Sequence, residues 1–347
     1  KHYLMALTQI QVRSPRILSQ AGVALDAVKL ELFIWNDPDS IPSLPQKTLE
    51  KPVPSDLITT VNFDISPYIR EFIEHVSYTE VTTLAAMAVG EYCYCTAKMY
   101  LNAILQTTYT FACFAGFGYF EEGYNPAGQI GLLTDGTYYV EEGGNCGSLS
   151  FFNDLLNPNF DVKYTGLTSG GVTTITTTTE FGHVPYVFPT YDGEGNKVEL
   201  LKNSVIQNTY FFKEICEPKY VVYNCDFVNK FGAWQRLVFF KASQQSMDMA
   251  NTEFNLMTDN VNYNTSKNVR QVFNVNATEK IVCNTGWVLE TYNEVIKQLL
   301  LSEKILLNGE PVITSTKQIE LQKNINDKNI NYRIEFNYAH PMLNYNV

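Results

Sequence analysis

Between residues 27 and 35 the chain keeps a two-residue period: Val28, Leu30, Leu32 and Ile34 share one face, and Lys29, Glu31, Phe33 and Trp35 share the other. That period predicts a β-strand. Residues 36–56 then carry Pro38, Pro42, Pro45, Pro52 and Pro54, five of the fourteen prolines. Proline cannot donate to a ladder, so this stretch reads as an extended surface loop and not as a central strand. Residues 57–65 resume strand character, and Ser66-Pro67 looks like a helix start ahead of an apolar stripe of Ile69, Phe72 and Ile73. Residues 92–100 and 106–114 read as a β pair. These parts predict an N-terminal β-sandwich or jelly-roll-like domain over residues 1–119.

Residues 120–217 are rich in Gly, Thr and Asn, with turn signals at Asn125-Pro126, Asp135-Gly136, Gly143-Gly144 and Asp192-Gly193. They predict a middle β domain of short strands. Its β-branched run at 172–179, Val-Thr-Thr-Ile-Thr-Thr-Thr-Thr, reads as an exposed edge able to accept a neighbour's strand. Residues 218–347 predict an α+β domain. Strands at 220–228 and 234–241 flank a Gly232 turn, and residues 287–302 show helical spacing through Val288, Tyr292, Val295, Ile296 and Leu299. Asn308-Gly309 marks a hairpin between 305–307 and 312–314, and Ile330, Tyr332, Ile334, Phe336 and Tyr338 define a half-buried terminal strand.

Composition strengthens the β reading. Aromatics make up 13% of the chain, carried by 22 Tyr and 21 Phe, side chains that suit a pleated, half-buried surface. The balance of 45% hydrophobic to 18% charged residues excludes wholesale disorder. A formal charge of −11, with the basic residues scattered singly, argues against nucleic-acid binding. Seven cysteines without C-x-x-C spacing do not form a disulfide framework or a metal motif; Cys93 and Cys95, on one strand face, read as core. Residues 1–5 lack a charged-then-apolar leader, with Met5 a candidate natural start. The uncharged stretch 99–120 is broken by Asn102, Gln106 and several threonines, so it predicts two buried strands and no membrane span.

No catalytic residue is assigned. Glu121-Glu122 and Glu141-Glu142 are paired carboxylates beside tyrosines, a pattern that glycoside hydrolysis can use, but adjacent Glu residues are more often solvated turn charges, and they are read so here. Asp192-Gly-Glu194-Gly-Asn196 starts like a calcium loop yet has Lys197 and Asn203 where Gly and Glu belong, so it reads as a turn. Gly116-Phe-Gly118 is no dinucleotide fingerprint. His183 and His340, each near a proline, read as loop residues, and the Asn264 and Asn276 triplets carry no weight. No metal and no cofactor is expected.

Several stretches together resemble a family: DAVKLELFIW at 26–35 and FDISPYIREF at 63–72; CEPKY at 216–220, FVNKFGAWQ at 227–235 and FFK at 239–241; and YNEVIKQLLLSE at 292–303 with NDKNINY at 326–332. They resemble uncharacterised virion structural proteins of tailed phages, particularly those of Bacteroidota and marine hosts. The likeness covers the beginning and the last third, not residues 120–215. It implies a non-enzymatic tail, baseplate or neck component, assembled in the host cytoplasm and resident in the virion, whose partners are its own copies and other tail or neck proteins. Intersubunit contacts are expected at the Pro-rich loop, through Pro42, Pro45 and Pro52, and at the Thr-rich edge, through Thr174, Ile175 and Thr176. A second reading is a receptor- or carbohydrate-binding module presenting the middle tyrosines to host surface glycan. A third is a glycan-degrading enzyme using Glu121 and Glu141.

Overall fold

The computed structural model describes residues 7–23, 26–36, 40–54, 59–126, 128–141, 147–153, 160–215, 219–257, 266, 269–319 and 329–343. Expectations placed on residues 1–5, Pro38, Glu142, Gly143, Gly144, Cys146, Cys216, Asn264 and 326–328 lie outside them. The fold is mainly β and multi-domain, with several sheets and a helix-containing C-terminal region.

The first strands are β1 (Thr8–Gln11), β2 (Ile17–Gly22), β3 (Ala27–Trp35), β4 (Lys47–Pro52) and β5 (Thr59–Asp64), followed by the short helix α1 (Ser66–Arg70). Then come β6 (Ala85–Ala86), β7 (Tyr92–Leu101) and β8 (Ile104–Phe114). Five of them form a sheet ordered β1-β8-β7-β3-β4, antiparallel except where β1 runs parallel to β8. The even-numbered face of β3, with Cys93, Cys95, Met99 and Cys113, buries against the β2–β5 ribbon and Ile69 of α1. Cys93 and Cys95 are core residues, as their spacing predicts.

Two local expectations are corrected here. The Pro-rich stretch is not loop throughout: residues 47–52 form β4, an edge strand on β3, where Pro52 closes the strand and leaves no inner ladder bond unmade. Ser66 does not cap α1. Ile65 occupies the cap position, and the Ser66 hydroxyl donates to the Ser14 carbonyl at 2.6 Å.

The chain continues through β9 (Gly136–Val140), β10 (Ser148–Phe152), β11 (Phe160–Gly166), β12 (Val172–Thr177), β13 (Phe181–Pro185), β14 (Asn196–Lys202) and β15 (Val205–Glu214). A five-stranded sheet is ordered β12-β11-β14-β15-β9, and β10-β13-β6 makes a small second sheet. Phe152 and Phe181 of the small sheet stack on each other and pack tilted or edge-on against Tyr92, Tyr94 and Phe114, on the opposite face of the first sheet from its main core. The first sheet is therefore buried on both sides at its β7–β8 end.

The remaining elements are β16 (Tyr223–Val228), β17 (Trp234–Phe239), β18 (Gln244–Asn255), β19 (Arg270–Leu289), α2 (Tyr292–Leu300), β20 (Ile305–Leu307), β21 (Glu310–Thr314) and β22 (Asn329–Tyr338). They form a seven-stranded sheet ordered β17-β16-β20-β21-β22-β19-β18. Asn308 and Gly309, at φ of 50° and 85°, make the two-residue turn that their sequence predicts between β20 and β21. The helix is shorter than its periodicity suggests: Trp287–Leu289 belong to β19, paired with residues 329–331 of β22, and α2 begins at Tyr292. One buried cluster runs from Leu133 and Tyr138 through Phe212 and Phe239 to Val295, Leu299 and Phe336, so the five-stranded and seven-stranded sheets share a core with α2.

Close backbone contact joins the segment after β8 to the turn between β16 and β17. A Cβ on Gly116 would lie 2.4 Å from the Lys230 carbonyl oxygen, and Gly232, at φ 78°, sits where a Cβ would meet the Gly116 nitrogen at 2.5 Å. Only glycine fits either position.

Candidate functional site

Three places concentrate chemistry or unsatisfied surface. The first is buried. Residue alternation and the β10–β13 register set Ser150 opposite His183, and the segment leading into β7 brings Glu91 to the same point. His183 Nδ1 lies 2.9 Å from Ser150 Oγ, and His183 Nε2 lies 2.9 Å from Glu91 Oε2. The order Ser-His-Glu is that of a nucleophile, a base and its orienting carboxylate. Its surroundings differ from a hydrolase's: Ser150 is 1% exposed and both partners 4%, so the hydroxyl has no face for a substrate to approach. The arrangement satisfies three polar groups that the sheet buries and ties β10, β13 and β7 together. His183 thus lies within a strand, which corrects the loop reading. Pro185, its apparent loop marker, is the last residue of β13.

The second place is an open cleft of about 470 Å³ between the segment 76–80 and the β16–β17 hairpin, lined by Tyr78, Glu80, Asn224, Asp226, Arg236 and Asn308. Arg236 grips Asp226 with a fork, Nε to Oδ1 at 2.6 Å and Nη2 to Oδ2 at 2.9 Å, and its Nη1 donates to Glu80. The guanidinium also lies 4.4 Å from the centre of the Tyr78 ring. Burial raises the Asp226 carboxyl and lowers the Arg236 guanidinium, and the fork pairs the two buried groups. Burial likewise pushes the Tyr78 hydroxyl up to about 12, and that oxygen accepts the Ser148 amide at 2.6 Å. With its guanidinium nitrogens committed to carboxylates, Arg236 acts here as a buried tie.

The third is surface. β18 and β19 pair from Gln244↔Val282 to Asn255↔Arg270, and past Lys280, the last β19 residue paired with β22, they continue as a two-stranded arm. Every residue of β18 is exposed. Met249 is 68% exposed, Val272 50%, Phe273 45% and Met257, just past the strand, 94%. Across the arm Phe254 meets Phe273 edge to face at 5.5 Å, and Arg270 pairs with Glu253. The sequence reading passed over this element because β18 has no buried face and therefore no inside–outside alternation to find.

The residues expected at interfaces are spread apart in the fold. Pro42 and Pro45 are half-buried in the loop before β4, and Pro52 is exposed at its end. Thr174 and Thr176 are exposed on β12, which lies at the edge of its sheet as expected; Ile175 packs on the large core, and Thr176 Oγ1 donates to Asp161 Oδ1 at 2.7 Å. Of the carboxylate pairs, Glu122 accepts the Tyr119 amide at 2.7 Å and pairs with Lys230. Asp192 accepts the amides of Thr168 and Ser169 at 3.0 and 2.9 Å, chiefly the Ser169 bond lowering its pKa, so this loop is tied by backbone donors. Among the described residues no cluster of His, Cys, Asp and Glu is arranged to hold a metal ion, and no helix is long and apolar enough to cross a membrane. Tyr138, Tyr164, Tyr186 and Tyr210 of the middle region are core residues; Phe120 and Tyr124 are its exposed aromatics. Known protein-family profiles give no match to this chain, and neither do the curated proteins.

Proposed function

We propose that the chain is a non-enzymatic structural component of a tailed-phage virion, a tail, baseplate or neck subunit that acts through self-assembly and contacts with other virion proteins. The observation that carries this reading is the β18–β19 arm, which holds apolar side chains in water on both faces and at its tip. Solvated apolar surface of this extent costs free energy until a neighbour covers it. The resemblance at residues 26–35, 63–72, 216–241 and 292–303 supplies the virion context. The sealing of Ser150, His183 and Glu91 supports a structural use of the chain's most catalytic-looking side chains.

In this reading residues 1–119, 120–217 and 218–347 are the units of assembly. The first is a β-sandwich made by the five-stranded sheet and the β2–β5 ribbon, with Val28, Leu30, Phe63 and Ile69 between them. Recovery of peptides from this chain in purified tailed particles, at a stoichiometry of several copies per particle, is the expected result of mass spectrometry. Particles that infect normally and lack the chain would contradict the proposal.

A further inference from the structure

The arm carries a more specific inference. We infer that it is a two-fold joint: β18 of one copy pairs antiparallel, edge to edge, with β18 of a second copy and so joins two seven-stranded sheets. This rests on the self-assembling reading above and adds to it the partner strand and the symmetry.

The edge is long and lacks the usual guards. β18 ends its sheet, and no strand lies beyond it among the described residues. At about 3.4 Å per residue its twelve residues present roughly 40 Å of free backbone donors and acceptors. Natural edges are guarded by Lys, Pro or a bulge. Gln244–Asn255 contains no Lys, Arg or Pro, and the one bulge in the arm lies on the other strand, where β19 takes an extra residue at Asn274, φ 51°. The arm around this edge is apolar as well. Met247, Met249, Val272 and Val275 on one face, Phe254 and Phe273 on the other, and Met257 and Val269 at the tip are all between 37% and 94% exposed. Of these, Met247, Met249 and Phe254 lie on β18 itself and meet the second copy directly across the joint.

Charge and parity make this edge compatible with itself. Opposed residues in an antiparallel pair point to the same face, so about a two-fold axis the numbers of opposed residues sum to an even constant. The charged residues of β18 are Asp248 and Glu253, which lie on opposite faces and never oppose each other. Full overlap puts the axis at Met249 or Ala250. Asp248 then meets Ala250 or Thr252 of the second copy, and Glu253 meets Gln245 or Met247.

The test uses the full chain carrying Met249→Cys or Ala250→Cys, exposed to a mild oxidant such as copper–phenanthroline, with Gln244→Cys as control. Self-opposed residues at the axis have Cα atoms about 4.5–5.5 Å apart, within disulfide reach. One of the first two variants is expected to form a disulfide-linked dimer while Gln244→Cys does not. In parallel, Met249→Lys with Asn251→Lys is expected to halve the native mass at concentrations where the unmodified chain is fully associated, with circular dichroism and melting unchanged because every β18 residue is exposed. An assembled chain whose mass the lysines leave unaltered and whose axial cysteines stay reduced would overturn the β18 joint and leave self-assembly standing. Odd-numbered assemblies dissolved to monomers by the lysines would overturn the two-fold. An unmodified chain that is monomeric at every concentration would overturn both readings.

Discussion

Arg236 shows at the scale of single residues how this fold handles charge. Its fork joins Asp226 of β16 to Arg236 of β17, side chains in residues 2% and 8% exposed, so each charge depends on the other for most of its solvation. Arg236→Met is expected to lower the unfolding free energy in urea by about 3–5 kcal/mol, because Asp226 stays buried without its partner; Asp226→Asn, which leaves Arg236 its Glu80 contact, should cost less. The double change Asp226→Leu with Arg236→Met should recover most of that loss. His75 gives the pH response. Its ring is buried against Trp234, with Nε2 3.1 Å from the Gly232 carbonyl oxygen, and burial lowers its pKa below 6.5 against the opposing pull of Glu91, with Lys304 adding to the lowering. The unfolded chain therefore binds the proton more tightly, and the contribution of His75 to stability is lost as pH falls from about 6.5 towards the lowered value. A His75→Phe variant should show a flatter melting temperature over that window than the parent; an equal slope would remove His75 from the account. None of these ties was visible in the sequence. Ser150 and His183, or Asp226 and Arg236, meet through sheet register, which leaves no spacing rule to read.

Elements were legible where one face is buried and the other is not. β3 and β22 follow their two-residue period, β7 and β8 pair as expected, and Asn308-Gly309 turns where its φ preferences demand. The helix was overextended at its start because Trp287, Val288 and Leu289 continue its apolar spacing, yet their ladder to β22 wins. Within α2, Ile296 and Leu299 are 0% exposed, and Gln298 donates to Thr134 Oγ1 at 2.9 Å while Tyr119 donates to Glu294 at 2.6 Å. Leu299→Ala is expected to cost about 2–5 kcal/mol in denaturant unfolding, as a cavity in the large shared core. Gly116→Ala should cost about 1–3 kcal/mol through overpacking at the Lys230 carbonyl. The arm was illegible for the opposite reason. A strand solvated on both faces has no pattern of burial to imprint on its sequence, and its Met and Phe residues gain meaning only once they are seen unpaired.

For the whole molecule, the proposed association of a chain of net charge −11 through its arm would bring like charges together. Its assembly should strengthen as salt rises from about 10 mM to 150 mM, where the screening length falls from about 30 Å to 8 Å. Weakening over that range would mean that attraction between opposite charges, rather than apolar contact, holds the copies. The most direct test of the central claim is the native mass of the purified chain, by sedimentation or mass photometry, over a wide range of concentration. A discrete multiple of 39.4 kDa that persists on dilution is the predicted result. A monomer at every concentration would contradict self-assembly.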